Sequence, residues 1–188
     1  PDSFYDGNKF LDNDYLTSTL KDLFKSDILD IGCESSKPGS ESISGSEEIK
    51  RLDTILPAIS SFKGSALSID TSKPDVAKYA ILNGFNMVND ITAGRQDSKM
   101  LEIVANSGSQ IVLMHMQGKP KTMQLRPIYD NIIDDIISFL EIRAEEAIDV
   151  GVEEDNIIID PGIGFGKTFK DNIEIIKSIS IFKKIGFR

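Results

Sequence analysis

Residues 157–167 read IIIDPGIGFGK, and the fold follows from how this stretch is taken. Ile157, Ile158 and Ile159 are β-branched and consecutive, which predicts a short strand buried on both faces. Asp160-Pro161-Gly162 ends it, because Pro161 cannot donate to a ladder and Gly162 accepts backbone angles that other residues avoid. The Asp160 carboxylate is thereby set just beyond the strand's C-terminal end. Gly162, Gly164 and Gly166 keep the following backbone bare, so that a flat or phosphorylated ligand can approach. A buried strand ending in an acid and a bare turn is how an α/β enzyme presents a site. A tight βα turn with Asp160 as a helix cap fits the same residues, and the stretch alone does not separate the two readings.

The surrounding chain supports a soluble α/β reading. It has 188 residues, 27% charged and 40% hydrophobic, enough for one domain with a substantial core. A net charge of -9 argues against a nucleic-acid or anionic-membrane partner. The single cysteine, Cys33, excludes an intrachain disulfide framework and fits a reducing, cytoplasmic setting, or a mitochondrial one in a eukaryote. No apolar run approaches the roughly 20 residues of a membrane span, and no secretory leader opens the chain. Pro1 enters in mid-loop and Arg188 stops where a further strand is due, so residues 1–188 are expected to be one incomplete domain of a longer protein.

Upstream, one unit repeats: apolar strand, polar residue at its end, loop, helix. Strands are predicted over 27–31, 66–70, 87–91, 110–116 and 157–159. Helices are predicted over 15–26, 47–62, 74–83, 99–106, 129–150 and 173–184, with Thr71 or Ser72 capping the one that Pro74 opens. Asp30, Asp70, Asn89, His115 and Asp160 each sit where a strand gives way to its loop. Regular β-then-α alternation implies parallel strands with helical crossovers. A doubly wound sheet and a (β/α) barrel both satisfy that pattern. Five polar strand ends favour the α/β TIM (β/α)8 barrel, here about strands 2–6 plus the end of the first βα loop.

Taken together, Asp30, Asp70 and Asp160 are expected to converge on one pocket suited to a nitrogen-rich heterocycle, since carboxylates accept from ring N–H and amino groups. Asn89 both donates and accepts, matching the mixed edge of such a ring. His115, the only histidine, reads as a structural group, and Cys33 as a small core thiol. With one histidine and one cysteine, a metal site built on those two types is not expected. Ser35-Ser36-Lys37-Pro38-Gly39 fits either a phosphate cradle or a solvated loop. No Walker motif is present, and Gly162-Ile163-Gly164-Phe165-Gly166 lacks the dinucleotide spacing.

Six stretches, in order, resemble the signatures of dihydropteroate synthase: PDSFYDG at 1–7, DIGCESSKPG at 30–39, SIDT at 68–71, VNDI at 88–91, LMHMQG at 113–118 and DPGIGFGK at 160–167. The resemblance implies a transferase of folate biosynthesis, the sulfonamide target, which condenses 6-hydroxymethyl-7,8-dihydropterin diphosphate with 4-aminobenzoate and releases diphosphate, assisted by Mg2+. By position, Asp70, Asn89 and Asp160 match the pterin binders, with Ile91, Met114 and Phe165 lining the slot. Ser36 and Lys37 match the loop meeting diphosphate, and Phe4 and Pro38 would flank the aminobenzoate. Asp6 resembles the acid that stabilises a pterin cation, with Asp30 its companion in catalysis. The family's metal-binding Asn would precede Pro1, and its later Lys, Arg and His would follow Arg188. A homodimer and fusion to other folate enzymes are also implied for the longer protein, and residues 1–188 alone are expected to be inactive.

Two departures stand out. Cys33 replaces the second glycine of the family's Gly-Gly-Glu, and Ser36-Lys37 replace Thr-Arg, exchanging a planar fork for a point charge. The second change predicts looser orientation of the anionic groups and an altered sulfonamide response. Alternative readings are a pterin-binding, corrinoid-dependent methyltransferase relative and a non-catalytic pterin-binding module. The diphosphate-type loop at 34–39 argues against the methyltransferase.

Overall fold

The structure, a computed structural model, describes residues 25–35, 41–59 and 66–188. Five strands form one sheet: β1 (Ile28–Gly32), β2 (Ala66–Asp70), β3 (Met87–Asp90), β4 (Gln110–Met114) and β5 (Ile157–Asp160). They are crossed by α1 (Gly45–Ile59), α2 (Pro74–Leu82), α3 (Lys99–Ser107) and α4 (Ile132–Val150). After β5 come α5 (Phe169–Lys177) and the short α6 (Ile179–Phe182). No helix among the described residues is long and apolar enough to cross a membrane.

Strand order decides between the two architectures left open by the alternation. Every neighbouring pair is parallel and the order is simply β1-β2-β3-β4-β5. A doubly wound sheet reverses direction partway, whereas right-handed crossovers that always step the same way place all helices on one face. This is the wall of a (β/α) barrel. Beyond β5, Ile159 N–H donates to the Arg188 carbonyl at 2.9 Å, so the chain returns beside β5 on the edge that β4 does not occupy.

The outer face of the wall carries the core. Ile69, Val88, Ile111, Leu113 and Ile157 pack against Leu52, Val76, Ala80, Met100 and Val104 from the helices, all fully buried. Burial of a side chain of Val or Leu size contributes about 1.5–3 kcal/mol. The helix layer therefore holds the sheet, which frees the inner face for polar residues. A second cluster, including Ile136, Leu140, Ile175 and Phe182, joins α4 to α5 and α6.

Several boundaries differ from the sequence expectation, each for a local reason. The helix expected from residue 129 starts at Ile132 because the Asn131 side chain caps it, accepting from Ile133 N and Asp134 N. Neither Thr71 nor Ser72 caps α2. Lys73 holds the N-cap position, and Thr71 Oγ1 instead accepts from Lys73 N at 3.2 Å. The single last helix expected over 173–184 is two. A capping box between Thr168 and Asp171 starts α5 at Phe169, and Ser178, at φ -100° and ψ 10°, interrupts it. β4 ends at Met114, so His115 and Met116 lie outside the strand. The helix expected over 15–26 falls almost wholly outside the described residues.

Candidate functional site

Alternation along each strand sends Leu67 and Ile69 to the helices and Ser68 and Asp70 to the inner face. Register then aligns the polar ends. Gly32 pairs with Asp70 and Asp70 with Asn89, while Met114 pairs with Asp160. Asp70, Asn89, Met114 and Asp160 thus share the C-terminal rim of the wall, where barrels of this kind place their sites. Asp30 lies two residues further in, beside Ser68, and its Oδ2 accepts from Asn89 Nδ2 at 3.0 Å. Gly32 has little room for a side chain, since a Cβ would sit 3.3 Å from Asp70 Oδ2.

Most acids near this rim have found a donor. Asp30 has Asn89. Asp90, turned toward the helix layer, accepts from Thr92 N, Thr92 Oγ1 and Gly94 N at 2.7–2.8 Å. Glu34 and Glu48 both bind Lys73. Asp70 has no donor among the described residues. Burial, then the charges of Asp30, Glu48, Asp90 and Glu34, push its carboxyl up to about 7. An acid poised at neutrality without a partner suits a ligand that presents N–H groups.

Beside the acids lies an apolar wall. Ile91 and Phe165 pack against buried Met114, Met116 and Met123. The sequence reading placed Ile91, Met114 and Phe165 in the slot and missed the other two. Met116 sits two residues from Met114, a spacing that was visible; Met123, in the β4–α4 loop, has no such signal. Three thioethers give this wall an adaptable surface. A cavity of about 220 Å³ opens on the Asp70–Ile91 side, lined also by Glu34, Thr71, Lys119 and Lys121. Asn89, Met114, Asp160 and Phe165 stand outside its lining.

The 160–167 turn is organised by β4 as much as by any ligand. Asp160 Oδ1 accepts from Gly162 N at 2.7 Å, and Thr168 caps the following helix, so Asp160 is not that cap. Gly162 has φ +68°, and a Cβ there would lie 2.0 Å from the His115 carbonyl oxygen. A Cβ on Gly166 would lie 3.0 Å from the Gln117 carbonyl oxygen. These two glycines answer to backbone packing, which corrects the reading that they leave room for a flat ring. Tyr129 Oη secures the same turn by donating to the Gly166 carbonyl at 2.6 Å.

Lys167 is buried beneath this turn. Its ammonium donates to Phe165 O at 2.9 Å, to His115 O at 3.2 Å and to His115 Nδ1 at 3.0 Å. Burial lowers Lys167 to about 8, opposed by the charges of Asp160 and Asp171. Burial, then the charges of Lys167 and Arg95, lower His115 to about 3. The imidazole is therefore neutral, with Nδ1 accepting and the proton on Nε2. Its ring meets Phe139 edge-on at 4.9 Å. This is a structural histidine.

Phe4, Asp6, Ser36, Lys37 and Pro38 lie outside the described residues. Next to them, Cys33 is buried, its carbonyl accepts from Arg51 Nη1 at 3.1 Å, and burial, then Glu48, pushes its thiol up to about 12. Among the described residues, no three His, Cys, Asp or Glu side chains are grouped to hold a metal ion.

Comparison with known proteins agrees with this geometry. The family model described as pterin binding enzyme matches residues 1–187. The chain belongs to the pterin-binding enzymes, among the dihydropteroate synthases. The synthase of Clostridium beijerinckii is 39% identical over 189 residues, with 100% of this chain aligned to 68% of that protein. The Yersinia pestis dihydropteroate synthase, solved with a sulfonamide drug, superposes with a TM-score of 0.90 at 32% identity, covering 100% of this chain and 68% of that one. The Anaplasma phagocytophilum enzyme, solved with 6-hydroxymethylpterin-monophosphate, gives 0.85 at 33% identity, covering 94% and 72%. The chain thus spans about two thirds of the length of these pterin-binding relatives.

Proposed function

We propose that this chain holds the pterin in a transferase that condenses 6-hydroxymethyl-7,8-dihydropterin diphosphate with 4-aminobenzoate. The observation that carries the reading is the rim of Asp70, Asn89 and Asp160, in which Asp70 has no donor among the described residues, set beside the Ile91–Met114–Phe165 wall. Carboxylates accept from the ring N–H and amino group, Asn89 completes the mixed edge, and the wall covers the ring face. Asp30 orients the Asn89 amide through the bond between them.

In the reaction, the bond between the pterin methylene carbon and the diphosphate oxygen breaks, and the electron pair leaves with diphosphate. The arylamine nitrogen bonds to that carbon and gives a proton to solvent. Acids near the ring favour the positive charge that develops as diphosphate leaves. Mg2+ would accompany the diphosphate, and among the described residues no three His, Cys, Asp or Glu side chains are grouped to hold it. Sulfonamide inhibition, a homodimeric assembly and a cytoplasmic setting belong to the same proposal.

Turnover of radiolabelled 4-aminobenzoate into a pterin-coupled product tests it, together with calorimetry of 6-hydroxymethylpterin binding to the longer protein carrying this chain. Loss of a hydrogen bond to a charged group costs about 1.5–3 kcal/mol, so Asp70→Asn or Asp160→Asn should weaken pterin binding about 10- to 150-fold. Pterin binding unchanged in both variants would refute the assignment. Binding of methyltetrahydrofolate without turnover of 4-aminobenzoate would favour the methyltransferase reading instead.

A further inference from the structure

Glu48 is a charged residue in the wrong place for a surface helix. It lies in the first turn of α1, is fully buried, and one of its carboxylate oxygens, Oε1, has no hydrogen-bond partner among the described residues. A buried carboxylate is costly unless paired and hydrogen-bonded, and an oxygen left without a donor adds to that cost. Its other oxygen binds Lys73 Nζ at 2.8 Å. The same ammonium binds Glu34 Oε2, and Glu34 Oε1 accepts from Ile43 N at 3.2 Å. One cation from the β2–α2 junction thus ties together the two ends of the β1–α1 connection, at Glu34 and Ile43, and the start of α1. Glu34 and Asp70 line the same cavity.

We propose that Lys73 is a positioning residue of the site, whose two-armed bridge fixes Glu34 at the cavity wall and neutralises Glu48 behind Asp70. No pairwise stabilisation explains the arrangement as well. A lone stabilising contact would not need a second acid, and an apolar residue at 48 would avoid the unsatisfied oxygen. The bridge instead sets the charge that Asp70 experiences. Asp30 from β1, Glu34 after β1, Glu48 from α1 and Asp90 from β3 all press on Asp70 with the same sign. Lys73 offsets Glu34 and Glu48, Asn89 bonds Asp30, Thr92 and Gly94 bond Asp90, and Lys119 and Lys121 also line the cavity.

The inference rests on the proposed function only for its ligand readout. The primary measurement is therefore the titration of Asp70 itself, followed by carboxyl NMR of the protein labelled at aspartate, with Asp70→Asn used to assign the signal. Lys73→Met leaves two uncompensated acids beside Asp70 and should move its midpoint to higher pH by about one unit, so that pterin binding at pH 6 weakens further. Glu48→Gln removes one acid, retains the shape, and should move the midpoint the opposite way. A purely structural bridge predicts lower melting temperatures for both variants with the Asp70 midpoint unmoved, and that result, or shifts of the same sign, would overturn the proposal. If Lys73→Met does not fold, the direction of the Glu48→Gln shift still decides. Failure of the unmodified protein to bind pterin would refute the proposed function while leaving this titration intact.

Discussion

Replacing Gly162 with alanine, and separately Gly164 with alanine, isolates what holds the 160–167 turn. Both glycines have positive φ, +68° and +86°. An L-residue in that region costs roughly 1–2 kcal/mol, and both variants carry this cost alike. They differ in surroundings. A Cβ on Gly164 meets nothing within 4 Å, whereas one on Gly162 lies 2.0 Å from the His115 carbonyl oxygen. Since that oxygen belongs to backbone, the contact opens only if the turn and the end of β4 separate by roughly 1 Å or more. The His115 N–H bond to the Asp160 carbonyl, at 2.9 Å, spans the same gap and would be lost, removing about 1 kcal/mol. The Lys167 contact with the His115 carbonyl is strained by the same movement. Gly164→Ala should therefore cost about 1–2 kcal/mol and Gly162→Ala about 3 kcal/mol or more. Urea denaturation at constant slope gives both values. Because Asp160 and Phe165 ride on the displaced turn, Gly162→Ala should also weaken pterin binding beyond its effect on stability. Equal destabilisation by the two alanines would refute the claim that β4 packing, rather than backbone angle alone, dictates glycine at 162.

Three further outcomes concern titratable groups held wholly or partly away from solvent. His115 is the only histidine of residues 1–188; its imidazole signals, assigned with His115→Gln, should show the Nε2–H tautomer and no titration between pH 5 and pH 8, and a midpoint near 6.5 would refute the Lys167 pairing. Cys33, the only thiol, should resist a thiol reagent at pH 8 in the folded protein and react on unfolding; rapid native labelling would contradict its burial. Asp70 has its folded value raised from 3.8 to about 7, so the folded state binds the proton more tightly, and the stability it contributes is complete below pH 3.8 and lost as pH rises to about 7. Asp70→Asn should flatten that slope, which is at most about 1.4 kcal/mol per pH unit, and leave the variant the more stable protein above pH 7; an unchanged slope would refute it.

Much of this molecule was legible because its signals are local. The alternation of apolar strand, polar end and helix names a parallel α/β fold, and a period of two puts Asp70 and Ser68 on one face. Parallel pairing with short offsets then brings Asp70, Asn89, Met114 and Asp160 to one rim without further information. What escaped the sequence depends on partners distant along the chain. Gly162 is separated from His115 by 46 intervening residues, so its glycine was credited to a ligand when a carbonyl dictates it. Lys167 carries no local signal of its contact with His115, which lies in the loop after β4. Glu48 resembles any acid in the first turn of a helix, and only the fold shows that it is buried against Lys73. The start of α5 at Phe169, four residues before the one that apolar spacing suggests, is set by a capping box between Thr168 and Asp171.

The acids of the rim, considered as one system, lead to the site more directly than any of them alone. Each carboxylate brought to this end of the wall needs a donor, because burial without one is unfavourable. Asp30 takes the Asn89 amide, Asp90 takes three donors from Thr92 and Gly94, Asp160 takes Gly162 N–H, and Glu34 and Glu48 share Lys73. Asp70 and Glu34 both line the cavity, and of the two Asp70 is the one without a donor among the described residues. Among the described residues, the fold that supplies donors to its neighbours therefore leaves Asp70 as the cavity-lining carboxyl still open to one. A ligand bearing N–H groups lowers the free energy of the folded protein at that position, and binding linkage makes the stabilisation grow with the logarithm of its concentration once that exceeds Kd. Recognition and stability are then one quantity read at Asp70, and a protein melted with and without pterin should show the largest ligand-induced shift above pH 7, where the unliganded carboxylate is charged and least well accommodated.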